Sequence, residues 1–229
     1  MELSIASSPV LVHCKGILFD MDGILTSSIG SVERSWTKWA QMRGVDPALA
    51  CHTAHGRRAI ETVHILRPDL DSEVELKVID DIEAADDEGV SVLPGVLDFL
   101  AALPMECWTV VTSATERLTR ARLALAGIAV PERLVTGSSV THGKPHPEPF
   151  LVGVALLGFK PEECVVFEDS ASGVEAGRAA GCVVVATPFS HPIEALDAAH
   201  YLVPDLTAVS VETLPGDEGL ALRFMAMAG

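Results

Sequence analysis

Two aspartates two positions apart, Asp20 and Asp22, follow the apolar triplet Ile17-Leu18-Phe19 and precede Gly23. A short apolar run ending at a turn predicts a buried strand, and residues two apart in extended backbone point the same way. Both carboxylates can therefore face one small volume just past a strand tip, and Gly23 lets the chain turn sharply away. Such a pair supports a nucleophile with an acid/base partner, a site for a hard metal ion, or both. Asp-x-Asp-Gly also occurs in ordinary turns, so the downstream sequence has to decide.

Two further apolar runs end in the same manner. Cys107-Trp108-Thr109-Val110-Val111 runs into Thr112-Ser113-Ala114, and Cys164-Val165-Val166-Phe167 runs into Glu168-Asp169-Ser170. Each precedes a helical pattern, over 116–126 closed by Gly127 and over 170–180 closed by Gly181. Helices are also predicted over 96–103 and 149–157, and strands at 134–135, 182–186 and 201–203. Alternation of near-continuous apolar strands with helices predicts an α/β, Rossmann-like parallel sheet covered on both faces. In such sheets, ligands bind outside the carboxyl ends of the strands. Asp20, Asp22, Thr112, Ser113, Glu168 and Asp169 are thereby expected at one edge. Gathering four carboxylates is costly unless a cation compensates them.

Lys144 lies in Gly143-Lys144-Pro145-His146-Pro147-Glu148-Pro149. Prolines after it restrict the backbone and fix where it emerges, which suits a counter-charge and a phosphate ligand. Helix starts after Ser113 and after Gly23 are expected to offer backbone N–H groups to an anion, the first of them placing Ala114 beside Ser113 at the substrate. Four acids, a hydroxyl and a lysine fit phosphoryl transfer through an aspartyl intermediate. A carboxylate approaching a phosphate dianion needs charge neutralisation, which an oxygen-liganded ion such as Mg²⁺ supplies. The alkoxide leaving group needs a proton from a positioned acid, and Asp22 has the spacing.

Between residues 27 and 90 no strand is predicted. The segment 28–43 places Val32, Trp36 and Trp39 at helical spacing and ends at Gly44, and shorter helices are expected over 47–51, 57–66 and 72–87. The acidic run 83–88 (EAADDE) reads as a solvated face. The resulting organisation is a core of residues 1–26 and 91–229 with an inserted all-helical cap over 27–90. Residues 1–15 are expected to form a tail, and the residues after Pro215-Gly216 a docked or frayed one.

The 229 residues carry 16 Lys and Arg against 32 Asp and Glu, a formal charge of −16. That field disfavours nucleic acid and anionic lipid, and any phosphate site must bring its own positive charge. The five cysteines form no Cys-x-x-Cys, which argues for reduced thiols and a cytoplasmic setting, with Cys107, Cys164 and Cys182 in the core. No signal peptide or membrane span is expected. Cys51, His52 and His55 lack a nearby fourth ligand, so no transition-metal site is expected there, and the other histidines read as surface or core residues.

In combination, FDMDG (19–23), VVTSAT (110–115), GKPHPEPF (143–150) and VVFEDSASGVEAGRAAGC (165–182) resemble, in order, the motifs of the haloacid dehalogenase superfamily of phosphatases and phosphomutases. The resemblance implies Asp20 as nucleophile and Asp22 as general acid, then base. It implies Ser113 as a phosphate ligand and Lys144 as the group stabilising Asp20 and the phosphate. Mg²⁺ would be held by the Asp20 carboxylate, the Asp22 backbone carbonyl and Asp169, with Glu168 close by. Ile24 stands where the family often has Thr, and Ser27-Ser28 where it often has Asp-Ser. The insertion resembles the family's small helical cap, which closes over substrate and excludes water. Within it, His55-Gly56-Arg57-Arg58 followed by Glu61 is similar to the cap segment of sugar- and polyol-phosphate phosphatases, implying His55, Arg58 and Glu61 as substrate ligands. The reading is a Mg²⁺-dependent phosphatase of a small phosphorylated sugar or polyol, monomeric or weakly dimeric. Its alternatives are a hexose-phosphate mutase of the β-phosphoglucomutase kind and a non-catalytic phospho-ligand binding module.

Overall fold

The computed structural model describes residues 9–216 and 218–227. The chain opens with β1 (Val10–Cys14) and β2 (Gly16–Phe19), all four residues of the latter buried. A tight turn leads to β3 (Thr26–Ser27), and four helices follow: α1 (Ile29–Arg43), α2 (Pro47–Ala54), α3 (Ala59–Leu66) and α4 (Ser72–Ala84). The chain returns through β4 (Ser91–Val92), which pairs antiparallel with β3. Next come α5 (Val96–Ala101), β5 (Trp108–Val110), α6 (Glu116–Leu125), α7 (Glu148–Leu157), β6 (Cys164–Glu168), α8 (Ala171–Ala179), β7 (Val183–Ala186) and β8 (Tyr201–Leu202). β9 (Val209–Thr213) and β10 (Leu220–Phe224) follow.

The parallel sheet has the order β5-β2-β6-β7-β8. Phe19 registers with Val110 on one side and Phe167 on the other, so the three polar strand ends finish at one level. The expected strand at 134–135 reduces to a single bridge between Val135 and Val111. Alternation along the strands splits the core. Ile17, Phe19, Val165 and Phe167 face one side with Phe99 and Trp108, while Leu18, Val166 and Val184 face the other with Phe150, Val154 and Val174. Phe19 and Phe167 stack with ring centroids 5.4 Å apart, and this holds the two central strand ends together just below the acids.

Helix boundaries follow local chemistry. Asp46, ahead of Pro47, accepts from the Leu49 N–H; Asp71 accepts from those of Glu73 and Val74; Ser170 accepts from that of Gly173. Each satisfies an otherwise orphaned donor of a first turn. The four inserted helices have their own core of Trp36, Trp39, Ala40, Ala50, Ala54, Val63 and Ile79.

Three expectations need correction. Residues 10–14 are not tail: β1 pairs antiparallel with β10, which pairs with β9. The segment after Gly216 therefore supplies the central strand of a second sheet, with Leu220, Leu222 and Phe224 buried against the main core. No helix starts after Gly23; the chain turns back there, the Gly23 N–H donating to the Thr26 carbonyl at 2.7 Å, so that position offers no helical N-terminus to an anion. Cys107 is half-buried rather than core, while Cys164 and Cys182 are buried, and all five thiols are free. No helix among the described residues is long and apolar enough to cross a membrane.

Candidate active site

Asp20 follows the last residue of β2, Glu168 ends β6, and Asp169 follows it. Each of the three offers a carboxylate oxygen within 4.8 Å of the others, and all three are buried. Lys144 lies between them. Its Nζ donates to Asp20 Oδ1 at 2.6 Å, Glu168 Oε1 at 2.6 Å and the Val111 carbonyl at 3.1 Å, so all three ammonium protons are used. Burial alone disfavours the ammonium, but Asp20 and Glu168 outweigh it and hold Lys144 above the usual lysine range. Glu168 is locked from the other side, its Oε2 accepting from the backbone N–H groups of Asp169 and Ser170 and from Ser170 Oγ.

The other two acids sit in an unbalanced field. Burial, then Glu168 and Asp22, push the Asp20 carboxyl up to about 7 against the pull of Lys144. Asp169 is raised well above the carboxylate range by burial and by the charges of Glu168 and Asp20. Its Oδ2 is buried with no hydrogen-bond partner among the described residues. Ionising all three carboxylates against one ammonium would leave two negative charges uncompensated, and every donor is an oxygen. Asp20, Glu168 and Asp169 thus fit a hard divalent cation such as Mg²⁺. Gly23 belongs to the same design: it has φ +90°, and a Cβ there would lie 1.8 Å from Asp169 Oδ2.

Asp22 is the acid the structure places differently. Its Oδ1 accepts from Ser28 Oγ at 2.6 Å and Thr26 Oγ1 at 3.2 Å, and its Oδ2 from Arg122 at 2.8 Å. Asp22 lines the same cavity as Asp20 but its carboxylate is turned to Thr26 and Ser28 at β3. The expected convergence of four carboxylates is three, with the fourth in an ion pair.

The cavity has a volume of about 370 Å³ and lies between the carboxyl edge of the sheet and the inserted helices. Asp20, Ser113, Ala114, Lys144 and Asp169 line it from the sheet, and His55, Arg58, Trp36 and Ile79 from the insertion. Ser113 Oγ donates to the Gly56 carbonyl at 3.1 Å, and Ser172 Oγ to the same oxygen at 3.3 Å. The Ala114 N–H donates to Thr112 Oγ1 at 3.2 Å. The helix after them starts at Glu116 with Thr115 as its cap.

Arg58 and Glu61 line or border the cavity but spend their polar atoms elsewhere. Arg58 donates to the carbonyls of Val140 at 2.8 Å, Thr141 at 2.7 Å and Gly137 at 3.3 Å. Glu61 Oε1 accepts from the Gly143 N–H at 3.1 Å and pairs with Arg58. Together they fasten the insertion to the segment that carries Lys144. His55 Nδ1 is 3.0 Å from the Cys51 carbonyl, and its ring meets that of His191 edge-on.

Sequence reasoning missed Arg122 and Glu83. Arg122 is 3% exposed and joins Asp22 to Glu83 on α4, at 2.8 Å and 3.4 Å. Glu83 is part of the acidic run read as solvated, yet burial pushes its carboxyl up to about 7, with Arg122 opposing and Asp22 and Asp80 adding. A signal existed: Leu118 and Arg122, like Ile79 and Glu83, are four apart on a helix and share the buried face.

The family model for haloacid dehalogenase-like hydrolases matches residues 14–181, a span containing Asp20, Ser113, Lys144, Glu168 and Asp169. Hexitol phosphatase A of Escherichia coli (strain K12) is 37% identical over 215 residues, covering 90% of this chain and 98% of that protein. 2-Deoxyglucose-6-phosphate phosphatase 1 of Saccharomyces cerevisiae is 34% identical over 218 residues, covering 85% and 89%. Among solved structures, β-phosphoglucomutase from Clostridium difficile matches with a TM-score of 0.71 at 19% identity, covering 84% of this chain and 92% of that one, a likeness of fold. With the acids, the lysine and the hydroxyl at one sheet edge and the matched span enclosing them, the chain belongs to the haloacid dehalogenase-like hydrolase family.

Proposed function

We propose that this protein is a Mg²⁺-dependent phosphatase that hydrolyses a small phosphorylated sugar or polyol through an aspartyl-phosphate on Asp20. The observation that carries the reading is the position of Asp20, at the tip of a central strand, bonded to Lys144 and facing a cavity it shares with Ser113 and Asp169. Asp20, Asp169 and the Asp22 backbone carbonyl would hold the cation, with Glu168 beside them. A bound Mg²⁺ would supply charge neutralisation to the nucleophile and the phosphate.

The chain's own groups divide the work. A carboxylate oxygen of Asp20 attacks phosphorus as the bond to the sugar oxygen breaks. Lys144 holds Asp20 in place and offers positive charge to the phosphoryl oxygens. Ser113 exchanges the Gly56 carbonyl for a phosphate oxygen. Asp22, released from Arg122 and protonated from solvent, turns toward the ester oxygen, gives that proton to the leaving alkoxide, and then takes one back from the water that attacks the acyl phosphate. Alcohol and inorganic phosphate leave, and Asp20 is restored.

The insertion acts as a cap over residues 27–90, hinged at the β3–β4 ribbon, on a core of residues 1–26 and 91–229. Substrate size is limited by the cavity of about 370 Å³. Its walls alternate the apolar surface of Trp36, Val32 and Ile79 with the polar Asp80 and Glu83, which suits a chain of C–H and O–H groups. The relatives act on hexitol phosphates and 2-deoxyglucose 6-phosphate by name, and the substrate here is assigned to that class. The test is a turnover screen over phosphorylated polyols, hexoses and glycolate, with and without Mg²⁺, with product analysis. Release of phosphate from a polyol or sugar phosphate only with Mg²⁺ is expected. Isomerisation of a hexose 1-phosphate without free phosphate, or binding without turnover, overturns the reading.

A further inference from the structure

His142 and His146 lie four residues apart with Lys144 midway between them, and Glu148 opens α7. Their imidazole rings are 4.6 Å apart between centroids and tilted by 33°. Glu148 Oε2 accepts from His142 Nδ1 at 2.8 Å and from the His142 backbone N–H at 3.0 Å, and lies 4.0 Å from His146 Nδ1. Glu148 Oε1 accepts from the Thr141 N–H at 2.7 Å, and His146 Nδ1 accepts from the Glu148 N–H at 3.2 Å. One ligand atom from each of the three residues lies within 4.8 Å of the other two. Both histidine side chains are open to solvent, at 62% and 50% exposure.

We propose that His142, His146 and Glu148 bind one divalent transition-metal ion of the zinc class, at a site separate from the three-carboxylate cluster. The donor set is two imidazole nitrogens and one carboxylate oxygen, which selects zinc over the oxygen-loving Mg²⁺. The carboxylate is oriented in advance by two backbone N–H groups, and Pro145 and Pro147 restrict the backbone on both sides of His146. At zinc–ligand distances of about 2.0–2.1 Å, tetrahedral ligand atoms sit roughly 3.3 Å apart. Closing from the present spacing asks small rotations of exposed side chains. The ion takes the place of the proton between His142 Nδ1 and Glu148 Oε2; that proton passes to solvent while Nε2 keeps or takes up one, so the bound ring is neutral, and water completes the coordination. Because Lys144 lies inside the chelated segment, occupancy ties down the loop that carries it. The inference does not depend on the phosphatase reading, since binding is measured without substrate.

Calorimetric titration of Zn²⁺ into the full chain in excess Mg²⁺ is the test. One equivalent is expected in the wild type and in Asp169→Asn, with binding at least tenfold weaker in the double variant His142→Ala/His146→Ala. Undiminished binding in the double variant, no binding by the wild type, or loss of binding in Asp169→Asn overturns the assignment. If circular dichroism shows the double variant unfolded, the imidazole resonances of the wild type, assigned through His142→Gln and His146→Gln, decide. Both must shift on addition of Zn²⁺, and unmoved resonances refute the site.

Discussion

Replacing Arg122 with Met removes a guanidinium that is 3% exposed and leaves its two carboxylate partners behind. Breaking one side of a buried ion pair costs about 3–5 kcal/mol. Asp22 softens the loss because it keeps Ser28 and Thr26 and its side chain is 29% exposed. Glu83 has no such relief, so the expected loss at pH 8 is about 3 kcal/mol. The pH dependence has a definite sign. Glu83 is pushed up to about 7 from 4.5, by burial first, so between those values the folded state binds more protons than the unfolded state. Its contribution is fully present below pH 4.5 and lost as pH rises through 7. Without Arg122, which pulls this carboxyl down, the loss extends to higher pH. Urea unfolding of wild type, Arg122→Met and Arg122→Met/Glu83→Gln at pH 5.5 and pH 8 measures it. The single variant should lose more at pH 8 than at pH 5.5, and the double variant should recover at least about 1 kcal/mol at pH 8. A loss under about 1 kcal/mol, equal at both pH values, would refute the claim that Arg122 is held by buried charge.

Arg58→Met should lower kcat/KM by roughly 10- to 100-fold, since three hydrogen bonds from a charged donor to the Lys144 segment are lost at about 1.5–3 kcal/mol each and only partly replaced by water. Steady-state kinetics against a sugar phosphate checks this, and unchanged kinetics contradicts the fastening role. Mg²⁺ at about 100 times its Kd should add roughly 2.7 kcal/mol to stability, seen as a raised thermal midpoint that Asp169→Asn abolishes. In the metal-free protein Asp20 is raised to about 7 and Asp169 is raised as well. Mg²⁺ must displace those protons, so its affinity should fall as pH drops below 7, and calorimetry in two buffers should show proton release.

The strand tips were legible because each is an apolar run broken by acids or hydroxyls, a pattern that survives without tertiary information. β1 and β10 were not, because each is five residues long and earns its place only by pairing across more than 200 positions of sequence. Glu83 was hidden in an acidic run whose last two members, Asp87 and Glu88, are exposed. Arg58 and Glu61 read as ligands because nothing local says that their partners are carbonyls and an N–H some 80 residues away. The Asp22 carboxylate was expected beside Asp20 on extended-chain geometry, but the turn at Gly23 and the hydroxyls of Thr26 and Ser28 carry it to β3.

Acid quenching during turnover, followed by borohydride reduction and peptide mass spectrometry, tests most directly whether a phosphoryl group rests on the chain. The account predicts reduction of one carboxyl, Asp20, to its alcohol in the wild type, and neither that product nor phosphate release in Asp20→Asn. Phosphate release by Asp20→Asn at the wild-type rate, or a trapped group on another residue, would contradict it.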